Sequence, residues 1–379
     1  MHAFKVVIAG GGFAGLETMV ALRALAEQRV AIDLLAPQPD FRYVPLAVAA
    51  PFGISEPQRF PLRALAERCG ARYMAAALAS VEPHGFQART TRGESLEYDA
   101  LVVASGARPQ ETVPSALTFR GPRDVARVRE LLARIEAGTV ERVVFAVPAG
   151  VSWPLPLYEL ALMTARRARQ SATVTRFTLV TPEKAPLAVF GADASRVVQE
   201  LLDEAGIRFV GERHAVRFDG GRLELLAGDG MTADAVVSLP LLRGPYLPGL
   251  PHDADGFLRV DDHCRVVGVP GVYAAGDVTA FPVKQGGLAA QQAEVVASAI
   301  ASNAGAPVEA KPLDPVLRGL LLTGERPAFL RAALGGRGGD PGAVDWEPLW
   351  WPATKVAARH LTPFLAEYVR GGRRPAAPL

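Results

Sequence analysis

The chain has 379 residues, 49% hydrophobic and 21% charged, which supplies a sizeable core and argues against wholesale disorder. Its 41 Lys and Arg against 39 Asp and Glu leave a net charge of +2, and the arginines are scattered, so a basic stripe for nucleic acid is not supported. Cys69 and Cys264 sit in unrelated contexts, which argues against a disulfide framework, a thiol zinc site and a dithiol redox motif.

Phe4 to Ala9 is a short apolar, β-rich run and predicts a strand. A strand starting this early leaves no room for a signal peptide, and no apolar run reaches the ~18 residues of a spanning helix, so a cytoplasmic location is expected. Gly10-Gly11-Gly12-Phe13-Ala14-Gly15 follows at once, and Leu16 to Leu25 carries helix formers with apolar residues at helical spacing. Strand, GxGxxG and helix in this order form a dinucleotide fingerprint. Gly10 allows the tight turn, Gly12 lets a pyrophosphate approach the backbone, and Gly15 lets helix and strand pack closely. The phosphate charge would rest at the helix N-terminus, where unpaired N–H groups and the dipole favour it. A second strand is expected over Val30 to Leu35, ending in Ala36-Pro37 with no acid for a ribose; Asp33 lies inside the strand and Asp40 comes late.

Further along, Tyr98 to Ala107 reads as a strand closing in Ala104-Ser105-Gly106. The chain then repeats its own opening: Glu141 to Val147 predicts a strand, and Tyr158-Glu159-Leu160 begins a helix. The connector between them, Pro148 to Leu157, keeps one glycine and holds three prolines and Trp153. Proline offers no N–H to a phosphate, so this second unit has lost its phosphate cradle. The next strand, Arg176 to Val180, ends in Thr181-Pro182-Glu183, again without a well-placed ribose acid. Gly271 to Asp277 is followed by Lys284-Gln285-Gly286-Gly287 and a helical stretch from Leu288 to about Ile300. Cys264 is expected in a strand and Cys69 near a helix end, both as apolar fillers.

Near the C-terminus, Leu317 to Leu334 suits a hairpin or short helices, Gly335 to Gly342 a mobile loop, and Gly371 to Leu379 a frayed tail. Ala357, Leu361, Phe364, Leu365 and Tyr368 fall on one helical face, with Pro363 breaking or kinking the helix and Thr362 a candidate cap for a second short one. That face is expected to pack over the protein, with Trp350 and Trp351 as core or lid residues. Arg370, Arg373 and Arg374 leave at most weak, salt-sensitive membrane association.

Four of these segments together resemble the FAD-dependent pyridine nucleotide-disulfide oxidoreductase superfamily, on the branch of sulfide:quinone oxidoreductases and type II NADH dehydrogenases. They are the N-terminal GxGxxG, the strand ending in Ala104-Ser105-Gly106, the pair Gly256 to Asp261 and Gly271 to Asp277, and Phe41-Arg42-Tyr43-Val44-Pro45-Leu46 with Leu349 to Lys355. The resemblance implies an α/β fold with two Rossmann-like dinucleotide-binding domains, the second degenerate, and a small C-terminal region. It implies an FAD domain over 1–112 and 240–320, the degenerate domain at 113–239, and a C-terminal lid or interface region at 321–379.

For the site, the resemblance implies FAD held by Gly10, Gly12, Phe13, Ala14, Gly15, Ala36, Pro37, Arg42, Pro45, Leu78, Ala104, Ser105, Gly106, Gly276, Asp277, Lys284, Gln285, Gly287 and Leu288. Asp277 would accept a hydrogen bond from a ribityl hydroxyl. Either Lys284 or the helix N-terminus behind it would stabilise reduced flavin, the alternative being that Lys284 is a solvated loop residue. The redox cysteine of the sulfide-oxidising relatives falls near Trp153, and Ala280 to Gly287 holds no partner for it. No metal and no catalytic side chain are implied. The expected function is passage of electrons through flavin N5 from an unidentified small donor to a quinone or other diffusible acceptor. Oxidation of NAD(P)H through atypical contacts, and a flavin-containing binding or assembly protein, stay open as alternatives. So does a homodimer, and so does a place peripheral to the inner face of the membrane.

Overall fold

The computed structural model describes residues 3–226, 228–335 and 342–371. In chain order its main elements begin with β1 (Phe4–Ala9), α1 (Phe13–Ala26), β2 (Val30–Leu35), β3 (Arg72–Met74) and β4 (Ala100–Val103). Next come β5 (Leu117–Thr118), β6 (Arg142–Ala146), α2 (Leu155–Gln170), β7 (Arg176–Val180), β8 (Ile207–Val210) and β9 (Ala235–Ser238). The chain continues through β10 (Val272–Ala274), α3 (Gly286–Asn303), β11 (Val316–Leu321), β12 (Ala328–Ala333), β13 (Ala343–Asp345) and α4 (Leu361–Arg370).

Two five-stranded parallel sheets dominate, in the orders β10-β4-β1-β2-β3 and β5-β9-β6-β7-β8. Parallel strands covered on both faces need continuous apolar runs, and Val6 to Ala9, Ala100 to Val103 and Val143 to Ala146 are all buried. Two glycines set the closeness of the first sheet to α1. A Cβ on Gly10 (φ +139°) would lie 2.0 Å from the Ala104 carbonyl oxygen, and one on Gly15 would lie 1.8 Å from that of Gly10. Behind α1 lies α3, whose Ala289, Ala290, Ala293 and Ala297 are buried and allow close helix approach. The antiparallel sheet β11-β12-β13 caps the assembly, so the segment from Leu317 to Leu334 forms a hairpin.

The C-terminal helix departs from expectation. It is one helix starting at Leu361, without Ala357, and Pro363 sits in its first turn, where a missing N–H costs nothing. Thr362 does not cap it; its hydroxyl accepts from the Ala358 N–H at 3.1 Å. The cap comes from α1, whose Glu17 carboxylate accepts from the N–H groups of His360 (2.9 Å) and Leu361 (2.6 Å). Leu361, Leu365 and Tyr368 are buried in the core around the first sheet. Trp351 is 86% exposed and therefore neither core nor lid, whereas Trp350 packs on Phe329 with ring centroids 5.0 Å apart. Cys264 lies in a tight turn at φ +59°, not in a strand, because Asp261 Oδ1 accepts from the N–H groups of His263 and Arg265 and curls the chain there. The glycine-rich loop interior at 336–341 and the tail at 372–379 lie outside the described residues. Among the described residues no helix is long and apolar enough to cross a membrane.

Candidate functional site

A cavity of about 1240 Å3 opens where the strands of the first sheet end. That is larger than the ~300–1,000 Å3 usual for small-ligand sites, and the carboxyl edge of a parallel sheet is where α/β folds bind ligands. The turn after β1 contributes Gly10, Gly12, Phe13 and Ala14, and β2 leads into Pro37. The turn after β4 contributes Ala104, Ser105 and Gly106, while Gly276 and Asp277 follow β10. Arg42, Pro45, Leu78, Lys284 and Gln285 complete the part foreseen from sequence.

The N-terminus of α1 faces this space. Gly12 is its N-cap at φ −90°, no side chain caps it, and a Cβ placed there would meet nothing within 4 Å. An uncapped helix start beside open space, with backbone bared by glycine, fits a pyrophosphate. Gly276 also needs to be glycine, with φ +83° and the Cβ atoms of Ala14 and Ala289 within 3.4 Å of a would-be Cβ. Next to it, the Asp277 carboxylate accepts no hydrogen bond from any described residue. Burial pushes its pKa up and the Lys284 ammonium opposes the shift. A half-buried acceptor without a donor, on the wall of a cavity, fits a ligand hydroxyl. Size, glycine cradle and orphaned acceptor together fit FAD.

Lys284 is not a solvated loop residue. Its ammonium donates to the Thr279 carbonyl and lies 3.8 Å from the centre of the Phe257 ring. Desolvation lowers its pKa to about 8, against the pull of Asp277 and Asp253. Four expected contacts do not line the cavity. Gly15 faces the Gly10 carbonyl, and the Ala36 N–H is spent on Met74 O at 3.1 Å. The Leu288 N–H is taken by Gln285 Oε1 at 2.8 Å, and Gly287 lies against the same side chain. Gln285 thus caps α3 itself. Asp33 is held by Arg72 in a bidentate pair (2.7 and 2.6 Å), while Asp40 and Gln38 reach the cavity wall.

The second unit supplies another wall. Its connector places Ala149 to Trp153 along the cavity, with Ser152 Oγ accepting from the Lys284 N–H at 3.3 Å. At the start of α2, Pro154 and Pro156 have no N–H, and the Leu157 N–H bonds Pro154 O at 2.8 Å. Glu183 is occupied internally, accepting from the hydroxyls of Tyr158 (2.7 Å) and Thr181 (2.9 Å). Cys69 and Cys264 are free, buried and outside the cavity lining, and burial pushes their thiols up to about 11 and 12.

One ionic element was missed from sequence. Glu159 of α2, 0% exposed, is paired with the Lys355 ammonium, which lines the cavity and also donates to Leu320 O at 3.0 Å. Glu159 Oε1 accepts from the Leu322 N–H as well (2.9 Å), while Oε2 is buried without a partner. Desolvation pushes the carboxyl pKa up and the ammonium pKa down, each opposed by the other. The available signal was a lone acid inside the apolar run Leu157 to Met163, since an acid among core residues needs a partner.

The family model for pyridine nucleotide-disulphide oxidoreductases matches residues 4–302. An NADH dehydrogenase-like protein of Mycobacterium tuberculosis is 28% identical over 296 residues, 73% of each chain. The sulfide-quinone reductase of Aquifex aeolicus is 26% identical over 304 residues, 74% of this chain and 69% of the relative. Among solved structures, the sulfide:quinone oxidoreductase of Aquifex aeolicus superposes with a TM-score of 0.82 at 21% identity, covering 98% of this chain and 92% of that one.

Proposed function

The chain belongs to the pyridine nucleotide-disulphide oxidoreductase family, and on that premise we propose that it is an FAD-dependent oxidoreductase delivering electrons to a quinone or another small diffusible acceptor. The observation that carries the reading is the single cavity joining the Gly12 cradle, the turn at Ser105-Gly106 and the unpartnered carboxylate of Asp277. Bound there, FAD supplies the electron exchange. The chain's own residues supply the rest. The start of α1 takes the pyrophosphate, and Asp277 accepts from a flavin side-chain hydroxyl. Lys284 sets positive charge beside that carboxylate. The Glu159–Lys355 pair is a buried ion pair at the cavity wall.

The quinone half of the reading is supported by the likeness to a sulfide-quinone reductase. A thiol-based donor reaction is not, since neither cysteine reaches the cavity and both thiols are pushed far above neutral pH. The domain division that goes with this function has FAD on 1–112 and 240–320, the altered second unit on 113–239, and a C-terminal covering region from 321. Membrane association would be weak at most, because α4 spends its apolar face on the core. The test is direct: the purified protein should be yellow and release one FAD per chain on denaturation. A colourless protein that stays empty after incubation with FAD refutes the proposal.

A further inference from the structure

Seven of the cationic side chains around the cavity differ sharply in what neutralises them. Lys355 is paired with Glu159, and Lys284 is drawn to Asp277. Arg120 is tied to Asp124 and Glu111, and Arg243 to Asp255. Arg42 and Arg108 are exposed. Arg318 is the exception: it is half-buried, and no carboxylate of a described residue lies within ion-pair distance of it.

Strand geometry shows where its guanidinium points. Side chains alternate along β11, and Leu317, Gly319 and Leu321 face the second unit, where a Cβ on Gly319 would lie 2.6 Å from the Phe190 ring. Arg318 and Leu320 therefore face the other way, and both line the cavity. Arg331 stands directly opposite Arg318 on β12. Burial and then Arg331 lower the Arg318 pKa, and Glu294 opposes them. Glu294 is itself engaged by Arg359. Leu320, Val356 and Trp153 supply apolar wall in the same cavity.

A half-buried cation facing a cavity without an ion-pair partner among the described residues suits an anion delivered by a ligand. We propose that the cavity binds an organic acid, with its carboxylate paired to Arg318 and its apolar body against Leu320, Val356 and Trp153. This rests on the flavin reading of the cavity and narrows its substrate class.

The test is calorimetric titration of the purified protein with benzoate and with benzyl alcohol, its uncharged counterpart of similar shape. Benzoate should bind at least about tenfold tighter, the least expected of one charge-assisted contact. Arg318→Leu should lose about that factor for benzoate alone, and Arg318→Lys should recover part of it. The leucine variant removes only an unneutralised charge, so it should fold and keep its FAD. Benzoate binding no tighter than benzyl alcohol, no benzoate binding at all, or unchanged binding in Arg318→Leu each overturns the proposal. So does loss of FAD from a folded Arg318→Leu, which would assign the arginine to the cofactor. The visible spectrum of the same samples separates this from failure of the flavin reading, which would show as a colourless wild type.

Discussion

Replacing Lys355 by Met leaves Glu159, 0% exposed, with only the Leu322 N–H on Oε1 and nothing on Oε2. Uncompensated buried charge of this kind costs about 3–5 kcal/mol when one partner of a pair is removed. The carboxyl escapes part of that cost by taking a proton, which makes the cost depend on pH. Its folded pKa is already raised, and losing the ammonium raises it further. A raised folded pKa leaves stability intact below the unfolded value near 4.5 and drains it as pH climbs toward the folded value. The penalty grows with each pH unit of that climb, so Lys355→Met should be clearly less stable, relative to the wild type, at pH 8 than at pH 5.5. Glu159→Gln should show the mirror image. It leaves a lysine whose pKa is depressed by burial, so its penalty grows as pH falls from about 10. Urea unfolding followed by tryptophan fluorescence reads both, because Trp350 Nε1 bonds Thr354 O beside Lys355. The double variant Glu159→Gln/Lys355→Met should recover most of the loss and be nearly flat with pH. Equal penalties at both pH values in the single variants would refute the argument.

Gly12→Val should fold normally and lose most of its FAD, since the side chain enters open space where the pyrophosphate would lie. Gly10→Ala should instead lose thermal stability, its Cβ colliding with the Ala104 carbonyl; retention of full flavin by a folded Gly12→Val would show the site to be elsewhere. Glu17, raised to about 7 by burial, should cost the wild type about 3 kcal/mol of stability between pH 4.5 and 7 relative to Glu17→Gln; parallel pH profiles of the two proteins would contradict this. NADH and NADPH should reduce the flavin slowly in anaerobic stopped-flow, because two missing N–H donors at ~1.5–3 kcal/mol each weaken binding on the order of a hundredfold or more. Fast, saturable reduction by micromolar NADH would restore the nicotinamide reading. Sulfide turnover, if any, should be unchanged in Cys69→Ala and Cys264→Ala, and its loss in either would refute the inert placement of the thiols.

Local pattern was enough for the parts of this protein that depend on local rules. The run Phe4 to Ala9 and the glycines at 10, 12 and 15 specify strand, turn and helix through backbone sterics alone, and the structure has them at those residues. The prolines at 154 and 156 likewise remove N–H groups wherever the chain goes. What the sequence left undetermined belongs to residues that meet across long separations. Nothing local ties Glu17 to the start of α4, 343 residues away, or Glu159 to Lys355, 196 residues away. Helix spacing around Ala357 suggested a helix that does not form, because Glu17 supplies the cap only from Leu361 onward. The Leu288 N–H reads as a ligand donor in sequence, but Gln285 Oε1 occupies it in the fold. Arg318 has the same composition as any surface arginine; only the hairpin register that sets it opposite Arg331, and the packing that turns it toward the cavity, make it distinctive. Backbone geometry is written in neighbouring residues, whereas the partner of a buried charge is chosen by packing between elements, and that is decided only when the chain has folded.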